Sequence, residues 1–101
     1  MAYAVMIVAD VTFYPIGEGV SVGPAIKSVI NKMRENKNIT VYPNSMATVI
    51  ECNSLDILMD AVKDAEKFLE SQGFPRIETI LRIDNRIDVE NSVKKKMDAI
   101  K

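Results

Sequence analysis

The sequence predicts an α+β sandwich, and three observations predict it. The first is a ten-residue run near the start whose apolar side chains alternate in the manner of a strand with one buried face. The second is a pair of segments with apolar residues at helical spacing, each bounded by capping or breaking residues. The third is the order of elements: strand, helix, strand, strand, helix, strand, then a last helix. Two split strand-helix-strand units in this order form a ferredoxin-like βαββαβ sandwich, an antiparallel four-stranded sheet with helices on one face. The handedness of crossover connections leaves few other topologies.

Each element has its own signature. From Val5 to Tyr14, Val5, Ile7, Ala9, Val11 and Phe13 share one parity and are wholly apolar, so they face the core. Met6, Val8, Asp10, Thr12 and Tyr14 take the other face. Pro15 is expected to stop the strand, and Gly17 and Gly19 permit a turn. Ser21 is an expected N-cap, and Pro24 fits a first helical turn. Val22, Ala25, Ile26, Val29, Ile30 and Met33 then form an apolar stripe, with a helix end near Asn36. Ile39 to Tyr42 reads as a short strand, Pro43-Asn44-Ser45 as a turn, and Met46 to Cys52 as a third strand rich in β-branched bulk. Ser54 caps a second helix with the stripe Leu55, Leu58, Met59, Val62, Ala65 and Leu69, closed by Gly73 and Pro75. Arg76 to Asp84 is the fourth strand, and Asp88 is the expected cap of a terminal helix carrying Val89, Val93, Met97 and Ile100. Met33, Met59 and Met97 read as core, and Cys52 as a small buried side chain.

The chain of 101 residues is read as a single domain, 1–101, 48% hydrophobic and 27% charged. Lys and Arg total 13 against 14 for Asp and Glu, a net charge of −1 that gives no reason to expect a nucleic acid or an anionic membrane as partner. There is no histidine, so a Ser/His/Asp triad, a Cys/His dyad and an imidazole metal site cannot be built from one chain. Cys52 is the only cysteine; it makes no disulfide within the chain and no multi-thiolate metal site. The apolar start is about half the length of a membrane span and has no basic leader, so a cytoplasmic protein is expected.

The open sheet face is expected to carry Met6, Val8, Asp10, Thr12, Thr48, Ile50, Ile80 and Arg82. That is too apolar for water, and a homodimer by sheet-on-sheet packing follows as an expectation. Four constellations carry chemistry. Pro15 to Ser21 is a glycine turn before a helix, without the third glycine of a dinucleotide fingerprint or the Gly-Lys-Ser/Thr of a P-loop. Asp10, Thr12 and Thr48 offer a carboxylate and hydroxyls suited to an amine-bearing heterocycle. Asn44-Ser45-Met46 sits at a hairpin tip. Arg82, Asp84, Asn85, Arg86 and Asp88 form either a phosphate site or an exposed ion-pair network.

Taken together these motifs resemble a known family. The run Asp10-Val11-Thr12-Phe13-Tyr14-Pro15 followed by Gly17-x-Gly19-x-Ser21-Val22, then Met46-Ala47-Thr48-Val49-Ile50-Glu51, then Arg76-Ile77-x-Thr79-x-Leu81-Arg82-Ile83-Asp84-x-Arg86, resembles the small thiamine-binding proteins of bacteria and archaea. They are related to the two-domain thiamine/hydroxymethylpyrimidine-binding protein. The resemblance runs from about Val5 onward. It departs at Ser45, where the family commonly has proline, and at Cys52, where it commonly has glycine.

The resemblance implies sheet-to-sheet dimers that often pair into tetramers, no enzymatic activity, and thiamine or its hydroxymethylpyrimidine moiety bound near subunit contacts; from the composition, no metal or cofactor is expected. It assigns Thr12, Gly19, Ser21, Met46, Thr48, Asp84 and Arg86 to ligand binding. Chemistry alone adds Asp10, Tyr14 and Asn44, as acceptors and donors for a pyrimidine edge or an aromatic face for its ring. The alternative is a regulatory or structural oligomer that binds another small anion, through Arg76, Arg82 and Arg86, or a protein. An acylphosphatase-type activity is disfavoured by Glu18 in a loop that would need an arginine, and an RRM-type reader by central strands that offer threonine, isoleucine and a carboxylate, and by a negative net charge.

Overall fold

Alternation along the first strand sets the sheet. A computed structural model describes residues 7–17, 19 and 22–101 of the chain. Val5, Met6, Glu18 and the expected cap Ser21 lie outside the described residues. Strand β1, Ile7–Ile16, buries Ile7, Ala9, Val11 and Phe13, as its period of two requires. Pro15 does not stop it. Strand β3, Thr48–Cys52, pairs with β1 only from Ile7 to Val11, whereas β4, Arg76–Asn85, pairs with it from Ile7 to Ile16. Beyond Val11 one side of β1 has no ladder, so a residue without an N–H is tolerated there.

The remaining elements are α1 (Gly23–Arg34), β2 (Thr40–Pro43), α2 (Leu55–Ser71) and α3 (Val93–Ala99). The sheet order is β2-β3-β1-β4, antiparallel throughout, which is the ferredoxin-like α+β arrangement that the element order predicts. Val29 and Met33 of α1, with Leu58, Ala61, Val62, Ala65 and Leu69 of α2, close the core over one sheet face. Ser54 caps α2 as expected, its hydroxyl accepting from the Ile57 N–H at 3.1 Å. Gly73 follows the helix end with φ +92°, a conformation that glycine reaches without strain. The Thr79 hydroxyl donates to Glu66 and ties β4 to α2.

Several expectations are corrected. Thr48 and Ile50 do not lie on the open face. Both are buried, and with Cys52 they point under the helices, because Thr48 stands opposite Val11 and Ile50 opposite Ala9. The open-face residues of β3 are Val49 and Glu51, opposite Asp10 and Val8. Met59 and Met97 are not core; they are 46% and 50% exposed, since the buried stripe of α2 runs through Leu58 and Ala61, and α3 buries no residue. Ser92, not Asp88, caps α3, accepting from the Lys95 N–H. The N-cap of α1 is Val22, with no side-chain cap.

Helix α3, the additional C-terminal helix, lies on the side of the sheet opposite α1 and α2. Its Val93 N–H donates to Glu51, and its Lys96 pairs with Asp84, both on the open side of the sheet. Asn91, buried just before the helix, donates to the Asp84 carbonyl.

Gly17 has φ +108°, and a Cβ there would come within 2.6 Å of Pro75 Cγ; Gly19 has φ +101° and open space around it. Gly17→Ala therefore meets backbone strain and a clash, and Gly19→Ala only the strain. Urea unfolding is expected to show the larger loss for Gly17→Ala. Leu58→Ala should cost about 2–5 kcal/mol, and Met59→Ala less than about 1 kcal/mol.

Candidate functional site

The unequal pairing of β1 opens a pocket. Past Val11, β1 continues beside β4 while the β3 side is left to the β2–β3 turn. Pro43 still pairs with Thr48, and the Asn44 N–H donates to the Ala47 carbonyl at 3.0 Å, so Ser45 and Met46 form the tip. Between this tip, the end of β1 and the first turns of α1 lies a pocket of about 180 Å³. Thr12, Asn44, Met46 and Thr48 line it, with Val11, Phe13, Ile26, Val29 and Ile30 as its apolar wall.

Four of the ten residues that the sequence suggests therefore meet at one place. Thr12 and Thr48 reach it from opposite faces of the sheet, so their hydroxyls do not form a facing pair. The Thr12 hydroxyl donates to the Met46 carbonyl at 3.4 Å, a long bond that holds the tip against the strand. Asn44 accepts from the Ser45 N–H through its side-chain oxygen at 2.9 Å, which fixes the orientation of its amide. Met46 is 84% exposed, and so has no packing role in this chain; it is a soft, polarizable cover at the pocket's edge.

The open face carries charges over an apolar ground. Asp10 pairs with Arg82 directly across the β1–β4 ladder, at 2.5 Å. Lys96 holds Asp84, and its cation keeps that carboxyl below the usual carboxylate range. Val8 and Val49, between these pairs, complete a second hollow of about 350 Å³ beneath α3. Arg86 grips Asp88 through Nε at 2.9 Å and a second N–H, which lowers the Asp88 pKa to about 2.

The other suggested residues lie apart. Asp84 stands opposite Val8, four residues along β1 from Thr12, about 13 Å at strand rise, and Arg86 lies beyond it. Tyr14 is half exposed on the open face near the far end of β1, and Gly19 is in the exposed turn that follows. Ser21 falls outside the described residues. The arginines do not converge: Arg76 is opposite Ile16, while Arg82 and Arg86 are each paired with an aspartate. This removes the basis for an anion site built from the three.

Glu51 is a residue that the sequence reading left unused. It accepts from the Tyr42 hydroxyl at 3.0 Å and from the Val93 N–H at 2.9 Å, joining β2, β3 and α3. Burial and the neighbouring carboxylate raise the Tyr42 pKa. Its signal in the sequence was its charge within an apolar strand. Burial also raises the Cys52 thiol pKa, so this cysteine is not an activated nucleophile. Among the described residues no cluster of acidic or sulfur ligands is arranged for a metal, and no helix is long and apolar enough to cross a membrane.

Comparisons with known proteins cover nearly the whole chain. The family model described as thiamine-binding protein matches residues 9–101. A UPF0045 protein of Methanocaldococcus jannaschii is 33% identical over 99% of this chain and 97% of its own. Its crystal structure superposes with a TM-score of 0.84 at 34% identity, covering 93% of this chain and 94% of that one. A UPF0045 protein of Methanothermobacter thermautotrophicus is 30% identical over 95% of this chain and 97% of its own. A Thermotoga maritima structure, described as a candidate thiamine biosynthesis/salvage protein, matches with a TM-score of 0.79 at 20% identity, covering 94% and 98% of the two chains, and supports the fold.

The ion pairs make acid sensitivity directional. Asp84 and Asp88 are held below the ordinary carboxylate value in the folded chain, so what they add to stability is present above about pH 4. It is lost as the pH falls through their folded values, toward about 2 for Asp88. In Lys96→Ala the Asp84 carboxyl should titrate at higher pH than in the wild type, read from side-chain carboxyl carbon shifts in an NMR titration. An unchanged midpoint would refute the role given to Lys96.

Proposed function

The chain belongs to the thiamine-binding protein family, and from that membership we propose that it is a non-enzymatic binder of thiamine or of its hydroxymethylpyrimidine moiety. The observation that carries the reading is the meeting of Thr12, Asn44, Met46 and Thr48 around one pocket. Its volume of about 180 Å³ is below the ~300–1,000 Å³ of drug-sized sites and suits a single substituted ring. An aminopyrimidine offers amino donors and ring-nitrogen acceptors at its edge and a flat apolar face. The carbonyl at Met46, the hydroxyls and the Asn44 amide complement the edge; the Met46 thioether and the wall of Phe13 and Ile26 complement the face.

The pocket contains hydroxyls, an amide and a thioether, with no carboxylate, imidazole or activated thiol among its described lining. Binding without turnover is the chemistry these groups support. A cationic thiazolium leaving the pocket along β1 would meet Asp10 on the open face, although Asp10 must then be shared with Arg82. The half-exposed Tyr14, Tyr42 and Ile80 on that face support its burial against a second copy in a homodimer, with tetramers as the larger assembly. The single buried thiol fits a cytoplasmic protein.

Isothermal titration calorimetry with thiamine and with hydroxymethylpyrimidine tests the reading. Thr12→Ala and Asn44→Ala are each expected to weaken binding about three- to tenfold, as the loss of one neutral hydrogen bond does. Arg86→Ala, remote from the pocket, should stay within about twofold. No heat with either compound at millimolar concentration refutes the reading.

A further inference from the structure

Helix α1 carries Lys27, Lys32 and Arg34 and none of the chain's 14 acidic residues, in a protein whose net charge is −1. Lys32 is held by Glu35, just past the helix end. Lys27 and Arg34 are exposed and, among the described residues, have no carboxylate partner. On the sheet, by contrast, Arg82 and Arg86 each hold an aspartate. Helix-dipole stabilisation accounts for a cation in the last turn, such as Arg34, but not for Lys27 in the second turn.

The two cations share one face. Seven residues are close to two helical turns, so Lys27 and Arg34 lie within about 20° of each other around the axis. Asn31 stands between them, about one turn from each. All three line a groove of about 410 Å³ over Ile26, Ile30 and Pro43, with no carboxylate among its described lining. Ile26 and Ile30 also wall the ligand pocket, and Asn44, which follows Pro43, lines it. Groove and pocket therefore meet across the same two isoleucines. A ring seated in the pocket has a path over them for one substituent, and that path ends at the cations.

The donors select the substituent. A phosphate monoester carries a charge of about −1.5 to −2 and three strong acceptor oxygens. A phosphate above Asn31 has an ammonium one turn to one side, a guanidinium one turn to the other and an amide N–H beneath it. These groups donate to its oxygens and balance its charge. The hydroxymethyl oxygen of a hydroxymethylpyrimidine is the atom that would carry the phosphate. We propose that the site prefers the phosphate monoester of its ring ligand to the free alcohol, with Lys27, Asn31 and Arg34 holding the phosphate. The proposal rests on the reading of the pocket as the seat of the ring.

Calorimetric titration at low ionic strength tests it with three probes: hydroxymethylpyrimidine, its phosphate monoester and inorganic phosphate. The monoester is expected to bind about tenfold tighter than the alcohol, an advantage that added salt reduces because the groove is open to solvent. Lys27→Gln/Arg34→Gln should abolish the advantage and leave the affinity for the alcohol within about twofold. Both positions are exposed and glutamine is a good helix former, so the variant keeps its fold. Equal affinity for monoester and alcohol overturns this proposal and leaves the pocket reading standing, as does an advantage that persists in the double variant. Inorganic phosphate binding as tightly as the monoester also overturns it, since the ring then contributes nothing. Failure of both ring compounds to bind overturns the pocket reading and this proposal with it.

Discussion

The structure depends on one constraint: β1 is hydrogen-bonded on both sides, but over unequal lengths. Five residues, Ile7 to Val11, pair with β3, and ten, Ile7 to Ile16, pair with β4. The doubly paired half supplies the centre of the core, where Ile7, Ala9 and Val11 meet the helices. The singly paired half carries Thr12 and Phe13 past the end of β3 and leaves room for the β2–β3 tip and α1 to enclose a pocket. The same imbalance accounts for Pro15 inside a strand.

Polar contacts divide the open face into regions. Near the start of β1, Glu51, Asp84 and Asn91 hold α3 by a carboxylate on a helix N–H, an ion pair and an amide on a carbonyl. Such exposed pairs are individually weak, and α3 buries no residue, so its attachment rests on their number and not on a hydrophobic seal. Toward the end of β1 the face carries Tyr14 and Ile80 in place of paired charges. The pocket opens near that second region, which separates a neutral binding chemistry from the charged end of the sheet.

Much of this was legible in the sequence, for physical reasons. β1 alternates cleanly, so its parity and its core residues follow from the pattern alone. Ser54 and Gly73 mark the ends of α2 because their side-chain and backbone properties act locally. β3 was harder to read, because Met46 to Cys52 is apolar at both parities and its register is decided by contact with β1. The charge of Glu51 was the one signal that assigns Val49 and Glu51 outward and Thr48 and Ile50 inward. Met59 and Met97 look like core residues because hydrophobicity does not reveal which of two adjacent stripes a helix buries. The site was legible in part. Thr12, Asn44, Met46 and Thr48 converge, while Asp84 and Arg86 lie at the other end of a ladder whose length the sequence does not display.

The central claim is that a heterocycle of the aminopyrimidine class occupies the pocket created where β1 outruns β3. Backbone amide chemical shifts, followed while hydroxymethylpyrimidine is titrated into the isotopically labelled protein, test it most directly. The account predicts that the largest changes fall on Thr12, Phe13 and Asn44 to Thr48, with little movement at Arg86 and Asp88. Changes centred on Asp84 to Asp88, with the hairpin tip unmoved, would contradict it.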